Sequence, residues 1–294
     1  MKRWIPWTAG CALALAALAA AAAAGGLYQA EAHRNRYVDI KPRPVAYTTE
    51  ALSIERGRYL FESRGCADCH GLQGTGREFV NDGKGTRLAG PNITAAGVVG
   101  RYQPEDWDSV IRHGVKPNGR PVLVMPSEDY NRLTNDDLNA LVSYLRQLPA
   151  RPGLEAAIEL PRPAWVLYGY GLIPDAASKI DHSLPPSRAV PAGVTVEHGR
   201  YVANMCLGCH GSQLAGGKIA GAPPDWPAAA DIRAGAGSAM ARYPDAASFM
   251  AMLRSGKRPD GTAIAVMPFE SLGKLSDVDA QALHAYLQTV PRQP

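Results

Sequence analysis

Cys66-Ala67-Asp68-Cys69-His70 recurs, with two residues changed, as Cys206-Leu207-Gly208-Cys209-His210. Cys-x-x-Cys-His is an attachment site for c-type haem. Two thiols three residues apart lie on one edge of a helical turn, where they can add to the two vinyl groups along one side of a porphyrin. The next residue projects over the ring, and its imidazole can bind the iron as proximal ligand. Cys-x-x-Cys also suits a redox dithiol or half of a zinc site. Zinc requires the two pairs to converge on one ion. Here each pair brings its own histidine and, further along, its own methionine.

The sequence around the motif repeats as well. Val196-Glu197-His198-Gly199-Arg200-Tyr201-Val202 matches Ile54-Glu55-Arg56-Gly57-Arg58-Tyr59-Leu60 at an offset of 142 residues. Arg254, Gly256, Pro259, Gly261, Met267 and Pro268 match Arg112, Gly114, Pro117, Gly119, Met125 and Pro126 at the same offset, as do Leu275, Leu283, Tyr286 and Pro291 with Leu133, Leu141, Tyr144 and Pro149. The motif itself is offset by 140, a two-residue deletion that insertions before Arg254 restore. This is one domain duplicated. Within each copy a helix leads into the motif. In the first, a Gly-rich loop follows over 71–90, then a short helix over 104–112. Pro117-Asn118-Gly119 marks a turn before Met125-Pro126. Thr134 caps an amphipathic helix carrying Leu138, Leu141, Val142 and Leu145, ended by Pro149.

A haem iron held by histidine needs a sixth ligand or an open face. A thioether is soft and favours Fe(II), so Met/His ligation raises the potential and closes the iron to substrates. Of seven methionines, only Met125 and Met267 recur at matching positions. The expected cofactors are therefore two covalently bound haem c groups, on Cys66, Cys69 and Cys206, Cys209. The iron ligands are His70 with Met125 and His210 with Met267, and no catalytic residue is expected. Met205 adjoins Cys206 and cannot reach the opposite face. Met240, Met250 and Met252 belong to the second repeat alone, the latter two facing its core. His113 reads as a surface residue, His33 lies in a tether, and His182, His198 and His284 have no counterpart histidine. The free ring N–H of His70 is expected on the Pro91 carbonyl, and that of His210 on Pro223, Pro224 or Pro227. Arg112 and Arg254 either pair with propionates or are solvated. Gly57 and Gly199 let the first helix approach the last, near Tyr144 and Tyr286.

Lys2 and Arg3 precede an uncharged apolar run over 5–27, read as a membrane anchor, with a cleaved signal peptide as the alternative. Either way the positive end stays inside and the rest is exported. Cys11 reads as a thiol within the membrane. Residues 31–47 read as a tether, 48–150 as the first domain, 151–194 as a Pro-rich linker and 195–294 as the second domain. The linker's Ala164-Trp165-Val166-Leu167-Tyr168 is too apolar for a solvated segment and is expected to pack across both domains. With 24 prolines and 30 glycines among 294 residues, much backbone is turn. A formal charge of +4, offset by four propionates, and the lack of a basic run exclude nucleic-acid binding.

The repeats resemble class I cytochrome c domains over about residues 50–150 and 195–294. Gly90-Pro91-Asn92-Ile93-Thr94, Met125-Pro126-Ser127-Glu128-Asp129-Tyr130, Leu133-Thr134 and Asp137-Leu138 resemble the cytochrome c subunits of bacterial membrane-bound alcohol, gluconate and aldehyde dehydrogenases. That resemblance implies a mainly α fold: two tandem class I cytochrome c domains behind an N-terminal transmembrane helix. It implies a single span in the bacterial inner membrane with the haem domains in the periplasm. It also implies electron transfer from a dehydrogenase to quinone, a terminal oxidase or a soluble cytochrome. The family's subunits typically carry three haem domains and this chain has two. Its second repeat has Ala230-Asp231-Ile232-Arg233 where the first has Pro91-Asn92-Ile93-Thr94. The alternatives are the di-haem subunit of a high-affinity haem–copper oxidase and a di-haem enzyme, a peroxidase or thiosulfate dehydrogenase.

Overall fold

The computed structural model describes residues 5–223 and 225–292, so Lys2, Arg3 and Pro224 lie outside the described residues. The apolar run forms one helix, α1 (Ile5–Asn35). Alanine is the best helix former, and beyond Pro6 nothing in the run interrupts it. The helix is long and apolar enough to cross a membrane, and Cys11 is exposed on it. It extends past the expected boundary, so 31–35 is helix rather than tether. Nor is the extended chain after it a free tether. Val38 N–H donates to Gly119 (2.9 Å), Val45 to Pro104 (3.1 Å) and Thr48 to the Ser143 hydroxyl (3.0 Å), with Val45 buried. Backbone donors on either side of Pro42 and Pro44 thus find acceptors on the first repeat.

The first repeat comprises α2 (Ala51–Ser63), α3 (Cys66–His70), strands β1 (Arg77–Asn81) and β2 (Arg87–Gly90), α4 (Pro104–His113), α5 (Ser127–Tyr130) and α6 (Asn135–Leu145). Asp106 accepts from Gln103 N–H at 2.7 Å to open α4, and Thr134 accepts from Asp137 N–H at 3.1 Å to open α6. The hairpin was not expected in the Gly-rich loop, because its strands are too short for alternation to show. β2 also pairs antiparallel with β3 (Ala157–Glu159) from the linker. Arg87 bonds Glu78 and Glu159 on either side at 2.6 Å. Leu60, Phe61, Trp107, Leu138, Leu141 and Val142 form the core. α2 crosses α6 at Gly57, where a Cβ would meet the Ala140 carbonyl oxygen at 2.0 Å and Tyr144 Cβ at 2.8 Å.

The apolar patch at 164–168 does not itself pack across both repeats, although Ile173 beyond it reaches the second repeat, where a Cβ at Gly221 would meet Ile173 Cγ2 at 2.9 Å. The linker's helix α7 (Arg162–Gly169) packs on α1, where a Cβ at Gly169 would meet the Gly26 carbonyl oxygen at 1.9 Å. After it, Ala176 N–H donates to Val122 (3.0 Å) and Ser187 N–H to Arg132 (3.2 Å), both in the first repeat. The apolar patch finds its partner in the N-terminal helix, which offers glycine at the crossing.

The second repeat retraces the path with α8 (Val196–Val202), a 3₁₀ turn (Ala203–Cys206), α9 (Leu207–His210), α10 (Ala246–Ser255), α11 (Phe269–Leu272) and α12 (Asp277–Leu287). Thr195, Asp245 and Ser276 cap α8, α10 and α12. Gly199 repeats the crossing, with a Cβ meeting the Ala282 carbonyl oxygen at 1.9 Å and Tyr286 Cβ at 2.7 Å. The fold is mainly helical, two like domains and an apolar N-terminal helix.

Candidate haem centres

Each motif forms a single turn, α3 or the end of the 3₁₀ turn with α9, closed by a glycine at positive φ: Gly71 at 73° and Gly211 at 75°. The turn presents the histidine toward a backbone carbonyl. His70 Nδ1 lies 2.9 Å from the Pro91 oxygen, and His210 Nδ1 lies 2.7 Å from the Ala230 oxygen. A carbonyl only accepts, so Nδ1 carries the hydrogen and Nε2 keeps its lone pair. Burial pushes both imidazole pKa values down, against the carbonyl's opposing pull, so the rings are neutral at pH 7.

Pro91 is the expected partner; Ala230 is not. The Pro223 carbonyl accepts from Trp226 N–H (3.0 Å) instead. The register of Ala230-Asp231-Ile232-Arg233 on Pro91-Asn92-Ile93-Thr94 carried the answer, because the role needs a carbonyl and not a proline. In the first repeat the end of β2 lies on the motif: a Cβ at Gly90 would meet the Cys69 carbonyl oxygen at 2.2 Å.

Burial pushes the Cys66 and Cys206 thiols up to about 12 and the Cys69 thiol up to about 11. Cys209 is raised by the same cause. Redox dithiols work through a lowered thiol pKa, so these pairs are unlike them. Among the described residues no group of three or more His, Cys, Asp or Glu is placed to hold a metal ion, which disfavours zinc.

Met125 and Met267 end matching hairpin turns. Val122 N–H donates to Gly114 at 2.7 Å, and Ile264 N–H to Gly256 at 2.9 Å. Met125 and Cys66 are half-buried against one core cluster, Met267 and Cys206 against the other. Trp107 Nε1, in the first cluster, is buried with no hydrogen-bond partner among the described residues. An unpaired buried N–H costs about 1–3 kcal/mol, and a haem propionate would satisfy it. Two thiols, an imidazole with a free Nε2, a thioether and an unmet donor fit a haem.

The other histidines are engaged elsewhere. His113 is buried, not on the surface, with Nδ1 3.1 Å from His182 Nδ1. His198 bonds Asp279 at 2.7 Å, His284 bonds the Tyr243 carbonyl at 2.9 Å, and His33 lies edge-on to Tyr168 at the end of α1. Met250 and Met252 lie in the second core as expected, and Met240 joins them. Arg112 is not solvated: it is buried, with Nη1 on Asp108 (2.8 Å) and Nη2 on the Leu133 carbonyl (2.6 Å), and its Nε has no partner among the described residues. Arg254 is exposed and pairs with Asp277.

Residues 54–149 match the family model described as cytochrome c, and residues 196–287 match that of cytochrome c oxidase, cbb3-type, subunit III. The chain is a tandem of two cytochrome c domains. The two domains carry two covalently bound haem c groups. The fructose dehydrogenase cytochrome subunit of Gluconobacter japonicus is 30% identical over 35% of this chain and 22% of its own length. The alcohol dehydrogenase (quinone) cytochrome c subunit of Gluconobacter oxydans is 27% identical over 83% of this chain. This chain spans only 56% of that relative. A cbb3-type cytochrome c oxidase subunit CcoP of Helicobacter pylori is 31% identical over 38% of this chain and 34% of its own length.

The cytochrome domains meet through reciprocal contacts that sequence reasoning missed. Asp129, just after Met125, accepts from Gly208 N–H inside the second motif at 2.6 Å. Ser271, just after Met267, donates to Asp68 inside the first motif at 2.7 Å. Arg77 and Glu270 pair across the same seam at 2.6 Å. Beside it, Tyr59 donates to Asp279 and Tyr201 to Asp137. The recurrence of this tyrosine and aspartate at one offset was legible; that each reaches into the other copy was not.

Proposed function

We propose that this chain is a di-haem electron carrier, held in the bacterial inner membrane by α1 with its cytochrome domains in the periplasm. It takes electrons from a dehydrogenase partner and delivers them to a respiratory-chain acceptor, quinone or a terminal oxidase or soluble cytochrome. It makes and breaks no bond in a substrate itself. The observation that carries the reading is the reciprocal seam. Each haem-attachment turn is bonded to the segment following the other domain's methionine. Two redox centres held in one interface suit a relay.

Cys66, Cys69, Cys206 and Cys209 form the thioether links. His70 Nε2 and Met125 hold one iron, His210 Nε2 and Met267 the other. Bound haem iron supplies the one-electron couple. The Pro91 and Ala230 carbonyls fix the ring orientation of their histidines, and the methionines would take the remaining ligand position of each iron, leaving none for a small molecule. Met125→Ala and Met267→Ala are each expected to remove one of two weak near-infrared sulfur-to-iron bands and lower one midpoint potential. An unchanged spectrum in either variant would overturn that ligand.

A second reading has a specific observation behind it. The match of residues 196–287 to a cbb3-type oxidase subunit suits an oxidase partner instead. The large subunit that co-purifies in mild detergent separates the two. A flavin, quinone-cofactor or molybdenum dehydrogenase supports the first reading, and a haem–copper oxidase the second.

A further inference from the structure

We infer that the linker contains a membrane-surface segment. Helix α7 and the turn after it lie in the headgroup–hydrocarbon boundary beside α1 and set the first domain against the bilayer. The inference rests on reading α1 as a retained span.

No charged residue occurs from Ile5 to Ala30; Glu31 is the first. A helix needs about 20 residues to cross the hydrocarbon, at about 1.5 Å each. Every placement of that length within 5–30 contains Ala22 and ends between residues 24 and 30. Gly26 and Ala30 are therefore within a few residues of the boundary, whichever placement holds.

α7 is fixed at that level. Its Gly169 backbone touches Gly26, and a Cβ at Gly26 would meet Val166 Cγ1 at 2.7 Å. Such contact requires glycine on both helices and leaves little freedom to slide. Just beyond α7, the Tyr170 hydroxyl donates to the Ala22 carbonyl at 2.7 Å. A residue bonded to Ala22 cannot stand clear of the lipid into which Ala22 is inserted.

The exposed side chains suit that place. Leu167 is 41% exposed, Tyr170 52% and Leu172 64%, and Leu27 and Tyr28 of α1 are exposed at the same level. In water this is an apolar patch of the kind that marks an interaction site. Trp165 lies beneath the Arg34 guanidinium, 5.6 Å from its ring centroid, and Arg162 is exposed at the start of α7. Tyrosine and tryptophan at the boundary with arginine reaching toward phosphate is the usual pattern of a membrane interface.

The segment is also tied to the domain. Asp175 accepts from Tyr168 (2.9 Å) and from Arg36, and a Cβ at Gly114 in the first domain would meet Ala176 Cβ at 2.7 Å. α7 thus couples the span to the first domain through fixed contacts.

The test uses the full-length holoprotein in phosphatidylethanolamine–phosphatidylglycerol nanodiscs, in a Cys11→Ser background that leaves only the haem-linked cysteines. A nitroxide is placed in turn at Leu15→Cys in α1, Leu172→Cys after α7 and Val278→Cys in α12. Collision with a water-soluble nickel chelate is expected to fall several-fold at Leu172 relative to Val278, with oxygen collision raised. Leu15 is expected to be protected further still. Leu172 as open to nickel as Val278, with Leu15 protected, overturns the inference and leaves the span. Leu15 and Leu172 both open to nickel overturns the span as well. Leu172 shielded from both nickel and oxygen means that protein rather than lipid covers it, and also overturns the inference.

Discussion

Tyr59 in α2 donates its hydroxyl hydrogen to Asp279 in α12, the first helix of one domain to the last helix of the other, at 2.7 Å. Tyr201 in α8 returns the contact to Asp137 in α6 at 2.6 Å. Each tyrosine oxygen also accepts from the backbone at the opposite helix start, Ser276 N–H at 3.1 Å and Thr134 N–H at 3.2 Å. The duplicated domains therefore meet about a pseudo-two-fold, with equivalent residues exchanged.

A hydrogen bond to a charged group contributes about 1.5–3 kcal/mol. Tyr59→Phe and Tyr201→Phe are each expected to destabilise the holoprotein by about that amount, and the double variant to loosen the interface. Urea denaturation gives the first quantity; small-angle scattering gives the second, as an increased radius of gyration. Two single variants with unchanged midpoints would mean that these bonds do not hold the domains together.

The two aspartates differ in their cations. Arg56 grips Asp137 with two bonds at 2.8 and 2.9 Å inside the first domain. The equivalent of Arg56 is His198, and Asp279 draws its arginine from across the interface: Arg64 Nη2 at 2.6 Å, both side chains buried. Burial works to raise the Asp279 pKa, but Arg64, Tyr59 and His198 outweigh it and hold the carboxyl down to about 2. A depressed carboxylate contributes stability that is full above the unfolded value, about 3.9, and is lost as pH falls through the folded one. Acid is therefore expected to cost about 2–3 kcal/mol from this residue between about pH 4 and pH 2. Asp279→Asn is expected to be less stable at pH 7, since it leaves Arg64 buried without its carboxylate, and to lose less than the parent on acidification. Denaturation midpoints at pH 7, 4 and 2.5 check both. Parallel curves for parent and variant would count against the assignment.

What the sequence revealed and what it hid follow from the range of each interaction. Local signals were readable. Thr134 capping α6, Pro104 opening α4 and the Leu138–Leu141–Leu145 stripe are decided within a turn or two of chain. The Gly57–Tyr144 approach was readable because Gly199 and Tyr286 repeat it. The short hairpin at β1 and β2 was hidden, since strands of five and four residues leave no period to count. His113 was misread because its partner, His182, sits in the linker 69 residues away. The linker's destination was also hidden: Trp165 and Tyr168 announce burial but not against what. Only the fold places Gly26 opposite Gly169.

Gly57 and Gly199 offer a matched pair of tests. A methyl group at either would overlap a carbonyl of the facing helix, at 2.0 and 1.9 Å, so the helices must part. Overpacking of this kind costs about 1–3 kcal/mol, and backbone leaves few ways to relieve it. Gly57→Ala is expected to weaken the first domain and Gly199→Ala the second. Each is expected to free one haem iron's methionine band at lower urea than the other. Loss of both bands together in each variant would mean that the domains unfold as one unit.

Arg112 and Arg254 occupy the same repeat position and are expected to differ sharply. Arg112 reaches Asp108 one turn earlier in α4, and Asp108 is completed by Arg43 N–H at 2.8 Å. The second domain has Met250 where the first has Asp108, so Arg254 finds no carboxylate inside and turns out to Asp277, the counterpart of Asn135. Removing one member of a buried ion pair costs about 3–5 kcal/mol, because the other charge stays behind. An exposed pair contributes about 0–1 kcal/mol. Arg112→Ala is therefore expected to destabilise strongly and Arg254→Ala hardly at all, by urea denaturation. Arg112→Ala with Asp108→Met, which installs the second domain's own residue, is expected to recover much of the loss. Failure of that rescue would mean that Arg112 acts through the Leu133 carbonyl rather than through its charge.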